Sequence, residues 1–291
     1  MNTLKPRYLE FIDIAVQVSR ILPNYSSKFS KKSFTQKQLM ALYILKQKSK
    51  LSYDEFIDDF MTRESAIADL QLTRVLSPST LKMFIRRVNT NILEQILSEC
   101  IMITKGRKLE LAIDSTGFQL EDGSYSYLKR LGLSTKKRKN IKLSECADTN
   151  LHLFTAVNIR KSDRHDSKEF KPLIKKTKKT RKKIEISVGD KAFDSEELHD
   201  FAEKNGFVHI APLKEKTKQY HRIHGKHRKK LSKYFPEKRY HRKSIIENMW
   251  FCVKRLCGKV VMAKKWVMQK KEMIGKVIAY NVHRLVKLLR I

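Results

Sequence analysis

The 291-residue sequence predicts an α/β protein, a mixed sheet flanked by helices, preceded by an all-helical N-terminal domain. Three observations carry this. Apolar residues recur at helical spacing through the first hundred residues. After "TKGRK" (104–108) the period switches to the alternation of strands. From there the order runs strand, strand, strand, helix, strand, helix, strand, helix, which packs helices on a sheet. The division falls at 1–103 and 104–291.

Within the first part, "FTQKQLMALYILKQ" (34–47), "LSYDEFIDDFMT" (51–62) and "SPSTLKMFIRRVNTNILEQIL" (77–97) each keep a helical repeat. The third opens with Ser77 as N-cap and Pro78 at the first helical position. Leu81, Ile85 and Val88 then point inward, while Ser79, Thr80, Lys82, Arg86 and Arg87 point outward. A short helix, a turn and a helix with a polar, basic start suit a helix-turn-helix reader of DNA; the same pattern also fits a small bundle with a solvated face.

In the second part, "LELAIDSTGF" (109–118) alternates and is rich in strand formers. "IKLSECAD" and "LHLFTAVNI" follow as two strands joined by a turn at Asp148, Thr149 and Asn150. A basic helix near 166–182 leads to the strand "KIEISVGD" (183–190). "SEELHDFAEKNG" (195–206) is a helix with a Ser cap and a Gly stop. "FVHIAPL" (207–213) is a strand, a helix spans 243–257, and a last helix runs from about 269 to 290.

Lys and Arg number 63 against 30 Asp and Glu, a formal charge of +33. An excess of that size self-repels unless a polyanion shares the surface, so the expected partner is nucleic acid. No apolar run reaches the length that crosses a bilayer. The four cysteines form no CxxC pair, so neither a zinc knuckle nor a disulfide framework is indicated. A reduced, cytoplasmic, nucleoid-associated protein is expected.

Three acids stand out. Asp114 follows Leu-Ala-Ile within the first strand, and Asp190 ends the fourth. A carboxylate deep in an apolar strand is costly unless it meets a cation, and two on neighbouring strands repel. Hard oxygen ligands suit Mg²⁺, or Mn²⁺ in its place. Glu247 is the lone acid in "KSIIENMWFCVKR" (243–255), where Ile245, Ile246, Met249, Phe251 and Val253 are expected to pack. Helical spacing places Lys243, Glu247, Trp250 and Lys254 on one face. Packed beside the first and fourth strands, that helix brings a third carboxylate to a two-metal phosphodiester site.

Asp114, Asp190 and Glu247, in that order on this plan of elements, resemble the DDE transposases of insertion sequences, whose catalytic domain is RNase H-like. That family carries the signature Y-x2-R-x3-E-x6-K. This chain reads Tyr240, Lys243, Glu247, Lys254, with Lys at the Arg position and Arg242 beside it. "GDKAFDS" (189–195) and "RHDS" (164–167) resemble two further family blocks. The resemblance implies cleavage of element ends and joining to target DNA. Asp114, Asp190 and Glu247 would bind the metals, and Tyr240, Arg242, Lys243 and Lys254 would hold phosphates. It also implies double-stranded DNA as partner, both as terminal inverted repeats and as target, and a homodimer on that DNA. A stand-alone or domesticated RNase H-like nuclease, or a non-enzymatic basic DNA-binding protein, is the alternative.

Weaker signals remain. Residues 213–243 hold 13 Lys/Arg against two acids, as a DNA-contacting loop would. "KKTKKTRKK" (175–183) is a second phosphate strip or a solvated face. His221, His224 and His227 recur every third residue, yet no fourth zinc ligand is apparent. Asp166, next to His165, is expected to cap the following helix.

Overall fold

The computed structural model describes residues 5–106, 108–120, 140–161, 165–214 and 220–290; residues 215–219 of the basic loop and Arg164 of the "RHDS" block lie outside these. The chain forms two compact units. Residues 1–103, 253–258 and 263–291 make one, and residues 104–252 and 259–262 the other.

The helical unit contains α1 (Arg7–Val18), α2 (Gln36–Ser49), α3 (Tyr53–Met61), α4 (Glu64–Asp69), α5 (Pro78–Arg87) and α6 (Thr90–Met102). Local start chemistry sets the boundaries. Thr35 with Gln38 and Ser52 with Glu55 form reciprocal capping boxes, and Ser77 accepts from the Thr80 amide. The stretch 77–97 is two helices, not one. It breaks at Val88–Asn89, where Asn89 accepts from the Asn91 amide and caps α6. Leu81, Ile85 and Val88 are buried as expected.

At its far end the chain returns to the helical unit. The last helix, Trp266–Leu289, packs with α6, α2 and α1 inside the helical unit. Its near-continuous buried run, Met273 to Val282, needs apolar cover on several sides, and a bundle supplies it. Gly275 is required there, because a Cβ would lie 2.7 Å from the Tyr43 hydroxyl. The Tyr43 hydroxyl donates to the Lys271 carbonyl at 2.8 Å. The buried Lys271 ammonium in turn donates to the carbonyls of Ile85 and Arg86 at 2.9 Å, closing the end of α5.

The second unit is an α/β layer built on β1 (Leu109–Leu120), β2 (Asn140–Asp148), β3 (Leu153–Arg160), β4 (Ile184–Gly189), β5 (Val208–Ile210) and β6 (Val260–Val261). The sheet order is β3-β2-β1-β4-β5, antiparallel from β1 to β3 and parallel through β4 and β5; β6 pairs with the far end of β1. The helices are α7 (Ser167–Thr177), α8 (Glu196–Lys204), α9 (Lys226–Lys233), α10 (Glu237–Tyr240) and α11 (Ser244–Cys257), with the last helix α12. The helix expected over 166–182 ends at Thr177 and continues as one 3₁₀ turn. The strand expected over 207–213 shrinks to Val208–Ile210, paired with β4 alone.

Candidate active site

β1 carries Asp114 out of a fully buried run, Leu111-Ala112-Ile113, and sets it opposite Glu145 of β2. Its parallel neighbour β4 pairs Ile113 with Gly189, so Asp190 leaves the sheet beside Asp114. Asp190 Oδ1 accepts from the Ala192 amide at 2.7 Å, which fixes the carboxylate at the strand end. A Cβ on Gly189 would meet the buried Phe193 ring at 2.9 Å, so glycine is needed for this turn to close. Glu247 lies in the first turn of α11, where the helix dipole favours an acid.

Lys243 draws these groups together. Its ammonium bonds the Glu247 carboxylate and stands 3.5 Å from Asp114 Oδ2. The side chains of Asp114 and Lys243 are each 19% exposed and that of Glu247 57%, so the site opens on the Glu247 side. Burial pushes the Asp114 carboxyl above its ordinary range; the Lys243 charge opposes this, and Asp190 adds to it. Burial alone would lower Lys243, but the Glu247 bond and the Asp114 charge outweigh it and hold the ammonium above its usual value. Tyr240 is raised by burial, with Lys243 opposing and Asp190 and Glu247 adding. Five of the sequence-selected residues thus share one electrostatic neighbourhood.

The residues fit a divalent cation. The Lys243 ammonium already lies between Asp114 and Glu247, Asp190 acts on Asp114 electrostatically, and all the donors are hard oxygens. The three carboxylates do not close into a tight triangle. Among the described residues, the group with all ligand atoms within 4.8 Å of one another is Glu196, Asp200 and His227, elsewhere in this unit.

Other expectations change. Arg242 was expected to grip phosphate, but its guanidinium is engaged within the fold. It donates to Thr149 Oγ1 (3.0 Å) and Asn150 Oδ1 (2.5 Å) and pairs with Glu110 at 3.1 Å. Asp166 holds the N-cap position of α7 without capping it. Its carboxylate accepts from Ser115 at 2.7 Å and pairs with Lys142 at 2.7 Å, on the sheet face opposite Asp114. Phe251, expected in the core, is 66% exposed, whereas Trp250 is buried and does not share the open face of Glu247. In the helical unit Ser79, Lys82 and Arg86 are exposed and Thr80 is half-buried. Lys82 pairs with Asp54 at 3.0 Å, and Ser79 and Thr80 share hydrogen bonds with the Ser77 cap. Lys254 is half-buried, seven residues beyond Glu247 in α11.

The family profile described as "Transposase DDE domain" matches residues 105–282, more than half of the chain. The chain belongs to the DDE transposase family. Its members carry out metal-dependent DNA cleavage and strand transfer, so this chain is a transposase and an enzyme. No curated protein matches it. A cryo-EM structure titled as the piggyBac transposase synaptic complex with hairpin DNA is similar at 10% identity and a TM-score of 0.49, over 98% of this chain and 76% of that one. No helix among the transposase's described residues is long and apolar enough to cross a membrane.

Sequence reasoning missed what seats α11 in the transposase. Trp250 lies between Phe118 and Phe154, with ring centroids at 5.7 and 4.8 Å, and its indole N–H donates to the fully buried Glu145. A Glu in mid-strand, between Ser144 and Cys146, was the available signal, because a carboxylate buried in a sheet needs a donor.

Proposed function

We propose that the transposase cuts the ends of its own insertion sequence and joins them to target DNA, with Asp114, Asp190 and Glu247 as the catalytic carboxylates. The observation that carries this reading is the Lys243 bridge between Asp114 and Glu247 beside Asp190. These carboxylates would hold Mg²⁺, or Mn²⁺ in its place, which when bound supplies an activated water and Lewis-acid stabilisation of the leaving oxygen. The buried floor of Leu111, Ala112 and Ile113 excludes water beneath the carboxylates and keeps their field strong. Tyr240, held as a phenol by its surroundings, donates a hydrogen bond towards a phosphate oxygen. Lys243 neutralises the carboxylates at rest and is placed to meet a phosphate.

Both element ends must be held at once, so the assembly proposed is a homodimer on double-stranded DNA. The test uses DNA bearing the element's own terminal repeats. Mg²⁺-dependent cleavage followed by joining is expected. Cleavage without joining would favour a stand-alone nuclease, and binding without cleavage a basic DNA-binding protein.

The exposed face of α5 is assigned to the terminal repeats, through Ser79, Thr80, Lys82 and Arg86. Because α12 completes the helical core, an isolated fragment 1–100 would lose it, and the full chain is the right material. In gel-shift titrations, Lys82→Ala with Arg86→Ala should lower affinity for the repeats about 10–100-fold more than for random DNA, roughly 1–3 kcal/mol. Equal losses on both DNAs would reduce α5 to non-specific phosphate contact.

Lys254 is assigned to a phosphate next to the scissile one. Lys254→Ala should lower the slope of log affinity against log salt by about one phosphate's worth, leaving metal affinity unchanged or higher. Lowered metal affinity with an unchanged salt slope would remove this assignment.

A further inference from the structure

One cluster in the α/β unit plays no part in the DNA chemistry. α8 carries Glu196, His199, Asp200 and Glu203 at i, i+3, i+4 and i+7, a single stripe of three acids and a histidine. Like charges at that spacing destabilise a helix unless a cation lies over them; Lys226 pairs with Glu203 at 2.6 Å, at the far end of the stripe from Glu196. Against the stripe sits His227, the second residue of α9. Its Nε2 atom is buried, 3.4 Å from Asp200 Oδ1 and 3.5 Å from Glu203 Oε2, without a well-aligned hydrogen bond to either. Ligand atoms of Glu196, Asp200 and His227 all lie within 4.8 Å of one another.

His199 is an independent pointer. It is 2% exposed, and its ring stacks on that of His227 with centroids 5.7 Å apart. Its Nδ1 faces the His209 carbonyl at 3.1 Å, leaving Nε2 as the lone-pair nitrogen, and that Nε2 is buried with no partner. A metal-ligating histidine commonly has this arrangement, one nitrogen on a backbone carbonyl and the other presented to the ion. His199, Glu203 and His227 line one cavity of about 520 Å³.

We infer that Glu196, Asp200 and His227, whose ligand atoms already lie together, with His199 joining them from outside that group as the fourth ligand, form a second metal site, separate from the catalytic carboxylates, that takes a single Zn²⁺-class ion. Two imidazoles and two carboxylates match the tetrahedral preference of zinc better than the all-oxygen preference of Mg²⁺. Of the three-residue histidine repeat, His227 alone joins the set; His221 and His224 are exposed. Glu196 accepts from the His227 and Arg228 amides at 2.9 and 3.1 Å, which fixes its carboxylate while each oxygen keeps a second lone pair for an ion, whereas Asp194 is excluded because the Arg228 guanidinium already neutralises it and the Lys214 amide adds a third donor. The ion would clasp α9, with Lys226, Arg228, Lys229, Lys230 and Lys233, onto α8. The basic arm would then be held in place by a metal instead of by apolar packing, since α9 has no buried residue.

The inference is independent of the catalytic assignment, and the test keeps the two apart by using the full chain carrying Asp114→Asn, Asp190→Asn and Glu247→Gln. Titration with Co²⁺, followed by visible absorption, should give about one tetrahedral ion per chain, displaced by Zn²⁺. In that background His227→Gln and Asp200→Asn should each weaken Co²⁺ binding about 100-fold or more, and Zn²⁺ should no longer raise the melting temperature. His224→Gln should leave both readouts intact. Asp200 is 47% exposed, so Asp200→Asn tests the site even where His227→Gln impairs folding. Absent tetrahedral bands, or unchanged Co²⁺ binding in Asp200→Asn, overturns the inference.

Discussion

Asp114→Asn, Asp190→Asn and Glu247→Gln should each reduce cleavage of element ends by about 10³-fold or more, at least ~4 kcal/mol of transition-state stabilisation. DNA binding should change by less than about 3-fold. Each substitution removes one anionic oxygen while keeping the side chain's size, so the fold has no reason to change. The Asp114 environment adds a second, opposite expectation. Its folded-state pKa is raised, mainly by burial, with Asp190 adding to it. For an acid, a raised folded pKa means that the charged form weakens the fold, increasingly so as pH rises through that pKa. Neutral Asn removes that penalty, so metal-free Asp114→Asn should melt at the same temperature as the parent or higher near pH 7. Inactivity combined with equal or greater stability is the mark of a residue retained for chemistry. Near-parental cleavage in any one variant would strike that residue from the triad, and a lowered melting temperature would make Asp114 structural.

Trp250→Ala should destabilise the α/β unit by about 3–5 kcal/mol, the usual cost of emptying a large aromatic site. The indole fills the space between Phe118 and Phe154 and supplies the donor to a carboxylate with no solvent exposure. Trp250→Phe separates the two contributions. Most of the packing survives while the Glu145 donor is lost, so the cost should fall to about 1–3 kcal/mol. Pairing Trp250→Phe with Glu145→Gln should restore part of that loss, since a neutral amide is cheaper to bury than a carboxylate without its donor. Urea unfolding of the parent, Trp250→Phe, Glu145→Gln and the double variant measures the coupling. If Trp250→Phe costs nothing, the indole N–H has no part in seating α11. If cleavage falls in step with stability, the seat of α11 also positions Glu247, three residues earlier in the same helix.

Much of this was legible in the chain, for identifiable reasons. The alternation through "LELAID" fixes which face of β1 each side chain takes, and Gly189 with Asp190 marks a strand end by its own backbone chemistry. Helical spacing alone brings Lys243 within reach of Glu247, four residues on. The caps at Thr35, Ser52 and Ser77 work within four residues of themselves and are equally visible.

What the sequence could not supply are pairings between residues far apart in the chain. Periodicity states which face of an element is apolar, but not which partner covers it. The last helix follows α11 in sequence and reads as part of the sheet layer, yet its apolar faces are satisfied by α1, α2 and α6. Arg242 reads as a phosphate ligand until Glu110 and Asn150, more than ninety residues away, engage its guanidinium. Asp166 reads as a cap until the pleat turns it to Ser115 and Lys142. The order of elements and the caps at Thr35, Ser52 and Ser77 were determined by the sequence itself, because each depends on spacing within a few residues. The tertiary structure alone decided which charges are occupied, which helix belongs to which core, and that His227 meets the acidic stripe of α8, because those depend on side chains that only folding brings within a few ångströms.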